Sequence, residues 1–449
     1  MSGLWMRVSD AATRIGAKVG RSDGDFSGVT IDSRRVEPGN LFVALSGERV
    51  DGHDFVSAAE AAGAGAALVE RAVETSIPTM TVADSELGLG ALARAWRENF
   101  SIPLVGITGS NGKTTVKEML SAIMSRYMTT LVTQGNLNNE LGVPLTLSRL
   151  DGTHKAAVVE MGASRVGDIR YLAEIAKPTV GVITQCAPAH LEGFGSIDGV
   201  AKGKGEMVES LPMSGCAVLN ADDPYIDYWR PRVSSSRTLT FGLSSHAMVT
   251  CDWSQDADGL HLDLTFPEGA SRANLMLLGQ HNVMNALAAA AAASALELSP
   301  DEIARGLEMM TAVPGRLAMQ TRDDGVRVID DSYNANPTSL VAAIDVLKDF
   351  SGPRWLILGD MAELGATSVE LHRDAGERAI TSGIERLFTT GRVSKAAADA
   401  FGSGGKHYEH FDALLNDVRK EVGEARVVLV KGSRSMRMER VVAALSEDV

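Results

Sequence analysis

The stretch Thr108-Gly109-Ser110-Asn111-Gly112-Lys113-Thr114-Thr115 carries the residue types needed to grip a phosphate. Glycines let the backbone bend until several N–H groups aim at one anion. A helix start adds partial positive charge, Lys113 can reach the β- and γ-phosphates, and the Thr114 hydroxyl can hold Mg²⁺. The usual pattern has a glycine five positions before Gly112; here that position is Ile107, so Gly109 must supply the bend. A nucleoside triphosphate is the expected ligand. Three other groups could join such a site. Glu160 closes the apolar run AAVVE, where a carboxylate is either solvated at a sheet edge or bound to a hard cation that wants oxygen donors. His190, in Ala187-Pro188-Ala189-His190-Leu191, is a structural hydrogen-bonder or a ligand. Lys202 and Lys204 flank Gly203 and could equally lie on a solvated helix face.

These residues need a scaffold that brings strand ends together. Residues 102–108 form a short apolar run bounded by Pro103 and Gly109, and a helical pattern starts near Thr114. Runs at 156–160, 180–184 and 217–220 have buried-strand length, with helix-compatible segments between most of them. That order predicts a largely parallel sheet covered on both faces, with Glu160 at the carboxyl edge beside the phosphate loop. Residues 236–278 alternate and are expected to be an antiparallel addition. Before them, strand-like runs at 29–31, 41–45 and 66–69 and a helix over 57–62 make a small α/β unit. After Thr311-Ala312-Val313-Pro314-Gly315, strands at 326–329, 355–358, 387–390 and 427–430 alternate with helices near 338–349, 368–382 and 412–422. This βαβ series closes into a doubly wound, Rossmann-like domain. No period of 20–50 residues repeats. The expected fold is therefore α/β in three domains: 1–83, a central P-loop ATPase-like 84–312, and 313–449.

Composition limits the partners. The chain has 449 residues, 43 Lys plus Arg against 57 Asp plus Glu, and a formal net charge of -14. Such an acidic surface offers no general attraction for nucleic acid or anionic membranes, so an anion must find a local site. The three cysteines, Cys186, Cys216 and Cys251, have no CxxC spacing and read as inert thiols in a reducing compartment. The N-terminus MSGLWMRVSDAATRIG lacks the basic and apolar regions of a signal peptide. The most apolar segment, 286–296, falls short of the ~20 residues that span a bilayer. A cytoplasmic protein with no transmembrane segment and no obligatory protein partner is expected.

The phosphate loop resembles that of the Mur ligase family, the ATP-dependent enzymes that add amino acids to the peptidoglycan precursor. Asp32-Ser33-Arg34, Gly39 to Leu45 and Asp51-Gly52-His53-Asp54-Phe55 are similar to the family's N-terminal UDP-sugar domain. Gln134 to Pro144 (QGNLNNELGVP) and Asp330 to Pro337 (DDSYNANP) resemble the member that handles D-alanyl-D-alanine. The resemblance implies ATP and two Mg²⁺ ions as cofactors, with Thr114 and Glu160 on the first ion and His190 on a second. It also implies a carbamate formed by CO₂ on a lysine, here Lys204, because an ammonium cannot bind Mg²⁺ whereas a carbamate is an oxygen donor. That reaction needs a neutral amine and hence a depressed pKa. Asn282 would take the adenine edge, although either it or Asn285 could equally cap a helix. Arg316 and Asp331 would contact the nucleotide from the third domain. Ser33, Arg34, Ser46, Asp51, His53, Asn138, Asn139, Asn334, Asn336, Lys431 and Arg434 are the implied substrate contacts, with Lys431 and Arg434 toward a dipeptide carboxylate.

The implied reaction is ATP-driven amide formation through an acyl phosphate, with UDP-N-acetylmuramoyl-tripeptide and D-alanyl-D-alanine as partners. One rival is the preceding ligase of the pathway, which adds the third amino acid and typically carries Asp-Asn-Pro-Arg. That stretch is missing here, and Gly359-Asp360-Met361-Ala362-Glu363-Leu364-Gly365 follows instead. Folylpolyglutamate synthase would not need the N-terminal domain. The rival from another class is a nucleotide-dependent regulatory or binding protein.

Overall fold

The structure is a computed structural model that describes residues 3–47, 50–256 and 259–446. The first two residues of the N-terminal stretch discussed above and the last three of the chain lie outside the described residues. The fold is α/β in three domains, each built on its own sheet.

The central sheet has six parallel strands. In spatial order they are Arg237–Phe241, Cys216–Asn220, Val180–Ile183, Leu104–Thr108, Ala156–Glu160 and Thr130–Val132. The middle strands are buried at every position because helices cover both faces, which explains their unbroken apolar runs. One face packs the helices Lys113–Ser125 and Gln280–Ala295 into a core with the antiparallel strands Thr250–Asp256, Gly259–Phe266 and Gly269–Leu275. The helix Gln280–Ala295 is buried nearly all round, and its alanines allow that close approach. The opposite face carries Asp168–Ala176 and Ile197–Glu209.

Register aligns the site. Glu160 lies opposite Ile107, and Ile183 opposite Thr108, so the phosphate loop, Glu160 and Thr184 leave the sheet at one edge. The chain order reverses beside Leu104–Thr108, which makes this edge the switch point where open sheets bind ligands.

The expectation for 236–278 needs correction. Its first strand, Arg237–Phe241, is the sixth parallel strand beside Cys216–Asn220, and only the three strands from Thr250 onward are antiparallel. Its sequence RTLTF alternates polar and apolar residues as an antiparallel strand would, although along the sheet edge its burial runs from an exposed start to a buried end.

The N-terminal sheet orders Lys18–Val19, Thr79–Thr81, Ala66–Val69, Leu41–Val43 and Val29–Thr30, parallel except for the first. The helix Ser85–Arg97 follows, with Asp84 accepting from the Leu87 N–H as its cap. Buried Arg97 then donates to the carbonyls of Ala176 and Ile102 and fastens this helix to the central domain.

The C-terminal sheet orders Ala318–Thr321, Arg327–Asp331, Val427–Lys431, Arg354–Gly359, Arg386–Thr390 and Gly405–Tyr408. Only the first pairing is antiparallel. Asp331 lies opposite Lys431, and Leu358 opposite Lys431 on its other side, so the DDSYNANP, KGSR and GDMAELG stretches share one edge. That edge faces the phosphate loop. No helix of the described residues is long and apolar enough to cross a membrane.

Candidate active site

The phosphate loop runs from the strand Leu104–Thr108 into the helix Lys113–Ser125. Gly109 and Gly112 have φ of +146° and +82°, a region side chains rarely enter. A Cβ on Gly109 would also strike the Thr184 hydroxyl, and one on Gly112 the Asn285 amide oxygen. Gly109 therefore supplies the bend that the missing glycine at 107 would have given. The loop is braced from outside: the Thr184 hydroxyl donates to the Asn111 carbonyl at 2.6 Å, and the Ser110 hydroxyl to the Ala187 carbonyl at 2.8 Å. Thr108 Oγ1 and Asn111 Nδ2 are buried without a hydrogen-bond partner, while Thr115 is buried in the helix.

Lys113 Nζ donates to the Gly109 carbonyl at 2.7 Å and folds back over its own loop. Enclosure by protein pushes its pKa down, against the pull of nearby Glu160 and with the push of Arg316. It has no carboxylate partner within ion-pair distance among the described residues. Thr114 Oγ1 donates to Glu160 Oε2 at 2.8 Å, and Asn138 Nδ2 to Glu160 Oε1 at 2.7 Å. Glu160 is 2 % exposed, and its own N–H donates to Thr133 Oγ1 at 3.0 Å. Lys117, buried one turn after Lys113, donates to the Thr133 carbonyl at 3.0 Å and braces that same segment. Asn139 is separate: its side chain accepts from the Gly142 N–H and caps a helix.

Lys204 lies 2 % exposed in the helix Ile197–Glu209, whereas Lys202 is exposed. Its ammonium has only a long contact of 3.5 Å to the Ala163 carbonyl and sits 5.2 Å from the centroid of the Phe194 ring. Burial, reinforced by the charge of Lys113, pushes its pKa down to about 7. Neighbouring Glu206 accepts the N–H groups of Gly167 and Arg170 and so caps the helix Asp168–Ala176. His190 has φ +51° and pairs through Nδ1 with the carboxylate of Glu363 from the C-terminal domain. Burial pushes the imidazole pKa down, against the pull of Glu363.

The C-terminal domain reaches the phosphate loop itself at two points. Arg316 Nη2 donates to Thr114 Oγ1 at 2.9 Å, its guanidinium lying 4.4 Å from the Tyr333 ring centroid. Asn336 Nδ2 donates to Asn111 Oδ1 at 2.7 Å. Lys431 is buried and forms an ion pair with Asp331, donating also to the Asn334 carbonyl at 3.0 Å. Burial pushes the Asp331 pKa up, against Lys431. Arg434 is exposed and pairs with Glu439 at 3.0 Å. Asn334 is exposed at the same edge. Asn282 is buried, donating to the Leu278 carbonyl at 2.8 Å and accepting from Asn285 at 3.1 Å, so its amide is engaged within its own helix start.

A cleft of about 1480 Å³ opens between the N-terminal and central domains. Ser33, Arg34 and Arg35 line one wall, and Leu137, Arg149 and His154 the other, so it leads along the chain to Asn138 and Glu160. Ser46, Asp51 and His53 are engaged with one another's neighbours. Ser46 donates to Glu70, and Asp51 accepts from Arg71 and from His53 Nδ1. His53 Nε2 accepts the Glu70 N–H, so buried His53 carries its proton on Nδ1.

Sequence reasoning set Glu160 beside the loop but assigned Arg316 to the nucleotide and Asn138 and Asn336 to the substrates, residues that the fold gathers at the same edge. It gave no role to Thr184, Thr133, Lys117 or Glu363; only Glu363 had a signal, its place in the GDMAELG stretch. The donor set suits Mg²⁺. A hydroxyl and a carboxylate stand 2.8 Å apart at the helix start. Among the described residues no group of three or more His, Cys, Asp or Glu could hold a metal alone, so a cation here would share phosphate oxygens. The three cysteines are free thiols; Cys216 and Cys251 are buried, and Cys186 is partly so.

Family models match nearly end to end: "Mur ligase family, catalytic domain" over residues 25–127, "Mur ligase middle domain" over 107–293, and "Mur ligase, glutamate ligase domain" over 315–434. The chain is 42 % identical over 431 residues to the UDP-N-acetylmuramoyl-tripeptide–D-alanyl-D-alanine ligase of Escherichia coli K12, covering 95 % of each. A crystal structure of MurF from Acinetobacter baumannii superposes with a TM-score of 0.92 at 33 % identity, covering 100 % of both chains. MurF ligase from Thermotoga maritima in complex with ADP gives a TM-score of 0.84 at 31 % identity, covering 94 % of this chain and 97 % of that one.

Proposed function

The chain belongs to the Mur ligase family, and from that premise we propose that it is an ATP-dependent, ADP-forming ligase of peptidoglycan precursor synthesis. It joins D-alanyl-D-alanine to the terminal carboxylate of UDP-N-acetylmuramoyl-tripeptide. The carrying observation is the convergence of the phosphate loop, Glu160 and two side chains of the C-terminal domain at one sheet edge, in a chain that matches such a ligase over 95 % of its length.

The tripeptide carboxylate takes the γ-phosphoryl group of ATP to give an acyl phosphate and ADP, and the dipeptide amine then attacks the acyl carbon and releases phosphate. Each group at the site has a part in this. Main-chain N–H groups of Asn111 to Thr115 would hold the phosphates, while the Ser110 N–H donates to the Gln185 carbonyl at 2.9 Å and fixes the loop. Lys113 has no acid within ion-pair distance among the described residues, so it exchanges the Gly109 carbonyl for a phosphate oxygen and offsets charge on the transferring group. Thr114 and Glu160 would hold a first Mg²⁺, and His190 a second, with Lys204 as an oxygen donor once carbamylated; such ions supply neutralisation of phosphoryl charge. Buried Lys204, its pKa about 7, keeps a neutral fraction at neutral pH and is therefore able to take up CO₂. Arg316 and Asn336, from the C-terminal domain, close over the loop, and such closure keeps water from an acyl phosphate. By the family resemblance Asn282 would take the adenine edge, Asp331 would approach the nucleotide, and Asn334 would contact the substrates.

The UDP-sugar belongs in the large cleft beside Ser33 and Arg34, with the peptide running past Asn138. We set the domain limits at 83/84 and 312/313 and the reaction in the cytoplasm, where its water-soluble substrates would meet it. The test is an acceptor screen: protein, MgATP and UDP-muramoyl tripeptide are incubated with D-alanyl-D-alanine or with free amino acids, and the product is weighed. Mass gain is expected only with the dipeptide. Gain only with a free amino acid would replace this reading with the third-residue ligase, and phosphate release independent of both substrates would replace it with a regulatory protein.

A further inference from the structure

Among the described residues six non-glycine residues adopt positive φ, and two of them, His190 at +51° and Glu363 at +61°, touch each other across the domain interface. Side chains seldom tolerate that backbone region, and where it persists the surrounding structure holds it for a purpose. The loop bearing Glu363 is fastened on every side. Asp360 accepts the N–H groups of Arg392, Val393 and Ser394; the Met361 N–H donates to His372 Nε2 at 2.9 Å; the Ala362 N–H donates to Ser433 Oγ at 2.7 Å. Ser433 Oγ in turn donates to the Ala335 carbonyl at 3.2 Å. Glu363 alone projects from this brace, onto the imidazole. The pair is open to solvent on the Glu363 side and only half-buried at His190, with side-chain accessibilities of 56 % and 38 %, and ion pairs so placed add little to stability. Its value must therefore be geometric.

We propose that Glu363 is a positioning residue for His190: its carboxylate accepts the Nδ1 proton and so presents the Nε2 lone pair to the second metal ion. A carboxylate can only accept, so the neutral imidazole in this contact has its proton on Nδ1. Metal-binding histidines are commonly oriented in this way through their other ring nitrogen. Here the orienting acid comes from a different domain. The second ion is then held firmly only while the C-terminal domain is docked, which ties the charge-neutralising site to the arrangement that excludes water. This inference rests on the two-ion reading given above.

The test is Mn²⁺ binding to the full chain, followed by electron paramagnetic resonance, with a non-hydrolysable ATP analogue and UDP-muramoyl tripeptide present. Wild type is expected to hold two ions. In Glu363→Ala the second should weaken by about 10–100-fold, while the first stays within about twofold. Glu363→Gln, which keeps an acceptor oxygen, should recover part of that loss, and thermal melting should be unchanged in both variants. A second ion bound equally well by wild type and Glu363→Ala would overturn the proposal. So would a Glu363→Ala defect confined to KM for D-alanyl-D-alanine, which would make Glu363 an acceptor contact. A wild-type protein that holds one ion would sink the two-ion reading itself, and this inference with it.

Discussion

Two sheet edges in this molecule carry the same pair of residue types and treat them oppositely. At the edge of the C-terminal sheet, Asp331 and Lys431 neutralise each other in a buried ion pair, with the Asn334 carbonyl as a further acceptor. At the edge of the central sheet, Glu160 and Lys113 stay apart: the acid takes Thr114 and Asn138, and the lysine takes a main-chain carbonyl. Both edges lie at the strand ends where open sheets bind ligands. The difference teaches which charge is spent. A pair that satisfies itself fixes the fold, whereas charges given only neutral partners remain available to a ligand that brings its own charge. Lys204, buried with no acid in ion-pair distance among the described residues, belongs with the second kind.

The largest effect should follow from removing the available charge. Lys113→Ala is expected to lower kcat/KM by at least about 10³-fold, or about 4 kcal/mol, in line with losing a donor that acts on developing charge. Its thermal midpoint should stay near that of wild type, because only loop carbonyls lose a donor. Calorimetry should show MgATP uptake greatly weakened. Turnover within tenfold of wild type would place Lys113 with the structural lysines and dissolve the contrast. At the other edge the order reverses. Lys431→Met leaves a buried carboxylate unpaired and should cost about 3 kcal/mol of stability, read as a fall in the urea midpoint. The double variant Asp331→Asn, Lys431→Met should regain most of it. A Lys431→Met protein as stable as wild type would show that the pair does not hold the fold.

The same contrast explains what could be read in the sequence. The phosphate loop was legible because its residues are contiguous and its strand and helix announce themselves on either side. Glu160 was legible as the charged end of an apolar run. Which lysine is spent and which is free was not, because Lys431 looks like Lys113 until the fold sets Asp331 beside it. His190 and Glu363 lie 173 residues apart, so no local pattern joins them. Strands such as Thr130–Val132, Ala318–Thr321 and Gly405–Tyr408 are three or four residues long at or near sheet edges, too short for a period to show. Arg237–Phe241 was misassigned because the pattern RTLTF alternates as an antiparallel strand would, although its partner is parallel.

Lys204 sharpens the contrast through pH. Its pKa in the fold is about 7, against 10.5 for the free side chain, so between those values the unfolded chain holds a proton that the folded chain has released. Stability therefore rises with pH across this window, with an upper slope of about 1.4 kcal/mol per pH unit, and is flat with respect to this group below pH 7. In CO₂-free buffer, wild type should gain about 2 kcal/mol on Lys204→Met between pH 7 and pH 9, measured from denaturant midpoints of both proteins. Parallel pH curves for the two would show that this amine is not held in the depressed state that carbamylation requires.

The smallest effect is expected at the seam between the two edges. Asn336 Nδ2 donates to Asn111 Oδ1 across the domain interface, while its own Oδ1 accepts the Ser339 N–H and caps the helix Pro337–Lys348. Asn336→Asp keeps the cap acceptor, adds a charge suited to a helix start, and removes the donor to Asn111. The fold should lose nothing, and the thermal midpoint should stay level or rise slightly. The phosphate loop, by contrast, loses one neutral hydrogen bond and gains an anion facing the triphosphate. MgATP affinity should fall by about fivefold, about 1 kcal/mol, in calorimetry. If affinity is unchanged and the midpoint falls instead, Asn336 acts in the fold alone, and the C-terminal edge meets the nucleotide site only by proximity.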